Sequence, residues 1–221
     1  MFKSENLELG VMKMKYDITA MACEKIFSYM LRSYYKKYLP EKDFMSVKKR
    51  LKKEYKQMVL RTPGIGGRKN SLSGNLTAAC YLFALPKADP SVTPELFDDI
   101  IAKSIALPLF AKMHAKKKKE GAIFAEEKQN RRVAEAERSQ NSPYEMDWQY
   151  TYVKGKDEFY CTYTQCGICK LAKREHSERF LPCLCKTDYI AYDLLGAELF
   201  RTKTLANGDD CCDFHVVKKQ A

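Results

Sequence analysis

Trp148-Gln149-Tyr150-Thr151-Tyr152-Val153-Lys154-Gly155-Lys156-Asp157-Glu158-Phe159-Tyr160-Cys161-Thr162-Tyr163 is the stretch in which the chain changes its period. Trp148, Tyr150 and Tyr152 alternate with Gln149, Thr151 and Val153; Phe159, Cys161 and Tyr163 alternate again beyond the turn-forming residues 154–157. Successive strand side chains point to opposite faces, so this alternation predicts a β-hairpin with one buried face. Two further strand-like runs, residues 199–205 and 211–217, flank Ala206-Asn207-Gly208-Asp209, and Asn-Gly in that setting signals a second hairpin. Residues 168–179 and 186–195 read as helices between them. Four strands and two helices predict an antiparallel sheet with helices against one face.

Upstream of the hairpin the period is helical. Thr19 is placed to cap a helix carrying Met21, Ile26, Met30 and Leu31, which Pro40 stops. Residues 41–60 set Phe44, Val47, Leu51, Tyr55, Met58 and Val59 on one side of a second helix. After Pro63-Gly64-Ile65-Gly66-Gly67-Arg68-Lys69-Asn70 a third helix carries Leu76, Ala79, Cys80 and Phe83. Thr93-Pro94-Glu95 starts a fourth, with proline where its missing N–H does no harm; a kink is expected at Pro108, with continuation to Lys116. A charged helix over residues 121–137 follows, and Asn141-Ser142-Pro143 marks the internal boundary. The expected fold class is α+β: a helical part, residues 1–140, packed on a C-terminal part, residues 141–221, holding a four-stranded antiparallel sheet and two helices.

With 45% hydrophobic and 12% aromatic residues the chain has the material for a core, which argues against disorder. No apolar run approaches the roughly 20 residues that cross a bilayer, and residues 1–10 lack the basic-then-apolar pattern of a signal peptide. A cytoplasmic location with reduced thiols is expected, without a membrane partner. The net charge of +11 is concentrated in residues 1–120, which hold 24 Lys and Arg against 12 acidic residues; residues 121–221 hold 15 against 16. No helix-turn-helix, paired-histidine zinc finger or aromatic RNA-binding signature accompanies it, so solvated helix faces account for the charge and no nucleic-acid partner is expected.

Nine cysteines are present. Cys23 and Cys80 stand alone, whereas Cys161, Cys166, Cys169, Cys183, Cys185, Cys211 and Cys212 crowd into the last third. Three chemistries fit such a cluster. Zinc would draw ligands from Cys166, Cys169, Cys185 and Cys212, with Cys183 and His176 also in range. A redox pair at Cys166/Cys169 would want a parallel βαβ setting that the pattern lacks. A cysteine nucleophile needs one activated thiolate, an acid/base partner and a cation for the substrate: Cys185 or Cys166, Asp188 and Arg201 supply these types. Cys185 is expected near a helix N-terminus, where the dipole favours a thiolate, with Asp188 one turn on. The glycine loop reads first as a tight turn between helices, and its functional alternative is to offer backbone N–H groups at Gly67, together with the Asn70 side chain, to an anionic substrate; Thr204 and Cys212 are further contacts. No cofactor is required, although zinc fits.

The ending Arg201-Thr202-Lys203-Thr204-Leu205-Ala206-Asn207-Gly208-Asp209-Asp210-Cys211-Cys212-Asp213-Phe214 resembles the closing signature of the L-2-amino-thiazoline-4-carboxylic acid hydrolase family. Residues 163–170 and 181–189, and Gly66-Gly67-Arg68-Lys69-Asn70, resemble it too. The stretch from Glu175 to Phe180, containing His176, departs from the family pattern. The resemblance implies hydrolytic opening of a cyclic 2-amino-thiazoline carboxylate to a carbamoyl-cysteine. A ligand- or zinc-binding sensor module without catalysis is the alternative. The pocket is expected between the helical part and the sheet, with a small molecule as partner.

Overall fold

The structure is a computed structural model that describes residues 12–105, 107, 112, 115 and 121–220. The expected kink at Pro108, the lysine run 116–119 and the first ten residues lie outside them.

Seven α-helices and a four-stranded sheet make up the described residues. Helix α1 (Ile18–Tyr38) is capped by Asp17 rather than Thr19: the Asp17 carboxylate accepts from the N–H groups of Thr19 and Ala20. It buries Met30, Leu31, Tyr34 and Tyr35, but Met21 and Ile26 face solvent. Helix α2 (Phe44–Arg61), capped by Asp43, buries all six of the residues its spacing picked out. Helix α3 (Ser73–Ala88) packs against both, around a polar seam in which the Tyr55 hydroxyl donates to the Ala20 carbonyl at 3.1 Å and Tyr81 Oη lies 2.9 Å from Ser28 Oγ. Helix α4 (Pro94–Ile105) turns Phe97, Ile100 and Ile101 inward, and α5 (Glu126–Gln140) lies along the first strand.

Strands β1 (Gln149–Lys154) and β2 (Glu158–Gln165) form the expected hairpin, and with β3 (Ala197–Phe200) and β4 (Cys212–Lys218) they make a sheet of order β1-β2-β4-β3, antiparallel throughout. The period-two pattern holds: Tyr150, Phe159, Cys161, Cys212, Phe214 and Val216 face inward, whereas Tyr160 and Phe200 are exposed. The last hairpin differs from expectation. Strand β3 is only Ala197–Phe200, and it pairs with β4 (Cys212–Lys218) through Phe200↔His215. The Asp213 carboxylate takes up the N–H groups of Thr202 and Lys203, at 3.0 and 2.5 Å, so those donors are withdrawn from the ladder. Asn207-Gly208 closes a short 3-10 turn (Leu205–Asn207), with Gly208 at φ +91°, instead of a two-residue hairpin.

Two helices separate the hairpins, with corrected bounds. Helix α6 (Gly167–Arg174) stops five residues short of expectation because His176 adopts φ +52°. The N–H of Ser177 then bonds the Ala172 carbonyl at 2.8 Å and that of His176 the Lys173 carbonyl at 3.3 Å, a Schellman stop built on histidine instead of glycine. Helix α7 (Leu181–Leu194) starts earlier than expected, with Pro182 in its first turn.

A buried ion pair ties α6 to the helical layer. Glu175 is 4% accessible and receives Arg61 in a bidentate pair at 2.7 and 2.5 Å, with Lys87 at 3.4 Å. Desolvation pushes the Glu175 pKa up, but Arg61 and Lys87 outweigh it and hold the carboxyl below its ordinary value. Its stabilising contribution is therefore complete above the usual glutamate range and lost as pH falls through the lowered value. Glu175→Ala is expected to cost about 2 kcal/mol in chemical denaturation at pH 7, under the 3–5 kcal/mol of fully sealed pairs because Arg61 keeps solvent contact. The deficit is expected to shrink on acidification; a pH-independent loss would assign Glu175 a packing role only.

Candidate active site

A cavity of about 540 Å³ opens between the inner face of the sheet, helices α6 and α7, and the wall formed by α1, α3 and α4. This volume lies within the range of small-molecule sites. Its polar end is built by two helices and two strands. The carboxyl end of β2 delivers Cys166 as the N-cap of α6 and Cys169 one turn later. Helix α7 brings Cys185 and Asp188, and β4 brings Cys212.

Gly167, between Cys166 and Ile168, permits this approach. A Cβ there would run into the Met146 carbonyl and lie 3.0 Å from the Trp148 ring. Only glycine lets the strand–helix junction sit so close under residues 146–148.

Arg201, just past β3, organises the opposite side. Nη1 donates to Asp188 at 2.8 Å and Nη2 to the Cys185 carbonyl at 2.8 Å. The guanidinium carbon lies 5.0 Å from the Tyr189 ring centre and 4.9 Å from that of Phe214, so the cation is held between two aromatic rings. Its side chain is only 4% accessible, whereas that of Asp188 is 38% accessible and opens into the cavity. Desolvation in the cleft outweighs the Arg201 pairing and pushes the Asp188 carboxyl from its ordinary 3.8 to about 6.

The thiols divide by environment. Cys166 is the one cleft thiol whose pKa is lowered: the Cys169 thiol acts first, desolvation opposes it, and the N–H groups of Cys169 and Ile168 assist. The Cys166 side chain closes no capping hydrogen bond, so the neighbouring Cys169 thiol is the leading influence and the start of α6 only assists it. The same pairing pushes Cys169 strongly upward. Cys185 lies in the second turn of α7, not at its start, and burial followed by the Asp188 charge pushes its thiol up to about 12. Burial likewise raises Cys161 to about 12 and Cys212 to about 11, the latter accepting from the Leu205 N–H at 3.2 Å.

Of the residues singled out from sequence, Cys166, Cys185, Asp188, Arg201 and Cys212 line this one cavity, with Cys169 and Cys161. Asn70, Gly67 and Thr204 are not among its lining residues. The Asn70 side chain donates to Asp147 at 2.8 Å and accepts from the Leu72 N–H at 3.0 Å, so it locks the loop onto residues 142–148. Gly67 starts a one-turn 3-10 helix at φ +58°, and Thr204 caps another by accepting from the Asn207 N–H. Cys183 points the other way, toward the Pro94 carbonyl at 3.5 Å, and His176 is an exposed helix stop. Among the described residues no three His, Cys, Asp or Glu side chains are grouped to hold a metal ion, so the four cysteines named for zinc share a cleft without forming a ligand cluster.

Arg132 escaped the sequence reading. It sits on a helix read as a charged outer surface, yet it lines the cavity beside Tyr150, Tyr163 and Tyr192 and is held by Glu135 at 2.9 Å. Its side chain is 34% accessible, so it is a more open cation than Arg201. The signal was the interruption of the charged α5 face by Gln129, Ala136 and Ser139, which are buried and turn that side of the helix to the sheet.

A readout of the thiol ordering follows. Alkylation with iodoacetamide near neutral pH, followed by peptide mass spectrometry, is expected to modify Cys166 at least about tenfold faster than Cys161, Cys185 or Cys212, because the thiolate is the reacting species. Equal rates would remove the assignment of Cys166 as the activated thiol.

No curated protein and no solved structure matched the chain. No described helix is long and apolar enough to cross a membrane. The family described as L-2-amino-thiazoline-4-carboxylic acid hydrolase matches residues 77–216, from within α3 into β4, and so takes in Arg132, Cys166, Cys185, Asp188, Arg201 and Cys212. By that match over more than half its length, the chain belongs to the L-2-amino-thiazoline-4-carboxylic acid hydrolase family.

Proposed function

We propose that the chain is a hydrolase that opens a small cyclic C=N substrate such as L-2-amino-thiazoline-4-carboxylate to a carbamoyl-cysteine. The observation that carries this reading is the convergence, in one cleft, of a thiol biased toward its thiolate, a carboxyl held near neutrality and two guanidinium groups. Arg132, 34% accessible in the cleft, is the cation open to a substrate carboxylate. Arg201 also fixes Asp188 by a hydrogen bond, so it acts as a positioning residue for that carboxyl.

The chemistry divides into two balanced halves. The Cys166 thiolate adds to the amidine-like C2 while Asp188, in its protonated form, gives its proton to the ring nitrogen. Collapse of that adduct breaks the ring C–S bond, and the freed sulfur takes a proton from solvent. Water then adds to the carbon still bound to Cys166, with the Asp188 carboxylate accepting a proton. Expulsion of the Cys166 thiolate, with release of the remaining hydroxyl proton to solvent, leaves the urea of carbamoyl-cysteine, one water having been consumed. A carboxyl with a pKa of about 6 suits both halves, since each protonation state is accessible near neutrality.

Turnover of the thiazoline, followed by release of the free thiol, tests this reading. Cys166→Ser is expected to lower kcat/KM by about 10³-fold or more with the fold retained, whereas Cys185→Ser is expected to stay within about tenfold of the parent. If the parent protein turns over neither the thiazoline nor related cyclic amidines, the hydrolase reading is wrong. In pH profiles, kcat/KM, which reports the first half, is expected to fall on the alkaline side as Asp188 loses its proton through about pH 6. Asp188→Asn is expected to abolish that limb, and a limb unchanged in the variant would transfer it to another group.

A further inference from the structure

The cavity is larger and greasier than a single five-membered ring requires. At about 540 Å³ it lies in the range that buries a drug-sized ligand. The reacting groups occupy only its polar end. Away from them the wall is apolar and comes from three helices: Phe27 and Met30 of α1, Ala78 and Leu82 of α3, and Ile101 and Ile105 of α4. Phe27, Ala78, Leu82 and Ile105 are only partly buried, so among the described residues this wall is less closed than the core.

Unpartnered polar atoms mark the same space. Among the described residues, Ser104 Oγ on α4, Tyr150 Oη on β1 and Arg201 Nε are buried without a hydrogen-bond partner, and all three residues line this cavity. Arg132 is near enough to Tyr150 to oppose its raised pKa, yet the Tyr150 hydroxyl closes no hydrogen bond to it. A buried polar group left unmatched is costly, and such groups are rare in folded chains. Their placement on the sheet, on α4 and at the cysteine end describes an occupant that reaches across the whole cavity.

We propose that the substrate is an extended amphipathic acid: its reacting C=N head lies among Cys166, Asp188 and Arg201, and an apolar body lies along the α1–α3–α4 wall. This rests on the hydrolase reading only for the identity of the head. The bare thiazoline carboxylate would then be a poor, truncated version of the true substrate, leaving the apolar wall wet.

The test uses straight-chain carboxylates, from acetate through butanoate, hexanoate and octanoate, as probes of the apolar body. Trp148, the single tryptophan, lines the cavity, so its fluorescence reports occupancy in the unmodified protein. Affinity is expected to rise about fourfold per methylene, the factor that burial of one CH₂ gives. Ala78→Phe, which fills the wall without adding a second tryptophan, is expected to flatten the series while leaving acetate unchanged. A flat series in the unmodified protein overturns the proposal, as does a steep series that persists in a folded Ala78→Phe variant. The two readings separate cleanly. Thiazoline turnover with a flat series keeps the hydrolase and removes the extended substrate. A steep series without thiazoline turnover keeps the apolar site and removes the thiazoline as its substrate.

Discussion

A guanidinium withdrawn from water has to be compensated where it sits, and Arg201 is compensated in one way only. Its two terminal nitrogens reach the Asp188 carboxylate and the Cys185 carbonyl, and its faces rest near Tyr189 and Phe214. Three of those four partners belong to α7 and one to β4. The arginine thereby fixes the angle between that helix and the sheet edge. Removing one partner would leave a buried charge unmatched, a larger penalty than the loss of a surface pair. The rotation of α7 decides whether Asp188 and Tyr192 look into the cavity, so the chemistry of the cleft depends on this clamp.

The second determinant is the way neighbouring thiols are made unlike one another. Cys166 and Cys169 share a helix turn, and the pairing lowers one and raises the other. Two groups pushed apart in this manner divide the roles of charged and neutral partner between them. Cys185 is raised first by burial and then by the Asp188 charge beside it. Desolvation dominates at most of these sulfurs, so most of the cluster behaves as apolar lining. The cysteines are numerous because the cleft is lined with small apolar atoms, and only one of them stands at a helix start.

Much of this was present in the sequence. The period-two alternation of Tyr150, Tyr152, Phe159 and Cys161 specified a sheet with a buried face, and the spacing of Phe44 to Val59 specified α2, because burial of one face is what those periods mean physically. Cys166, Cys185, Asp188, Arg201 and Cys212 were brought to one place. The misjudged residues share a cause: their roles depend on tertiary partners. Asn70 looked like a ligand for an anion but is consumed by Asp147, and Arg132 looked like surface charge but faces three tyrosines. The bounds of α6 and α7 were displaced because His176 takes a left-handed conformation that glycine would have announced. Asn207-Gly208 misled for the converse reason: the Asp213 carboxylate intercepts the backbone donors that a tight hairpin would have used.

That interception also divides the connection between β3 and β4 into two mechanically separate pieces. Asp213 holds Thr202 and Lys203 from the strand side, and the Asp209 carboxylate holds the Thr204 N–H at 2.7 Å from the far side. Arg201 is therefore insulated from the tip at residues 205–208 by its own set of anchors. An evolving family can lengthen, shorten or recompose that tip, and so adjust what passes near the Cys212 rim, without disturbing the cation that orients α7. The loop has a fixed root and an exchangeable crown, so the rim of the cleft can be altered at small structural risk.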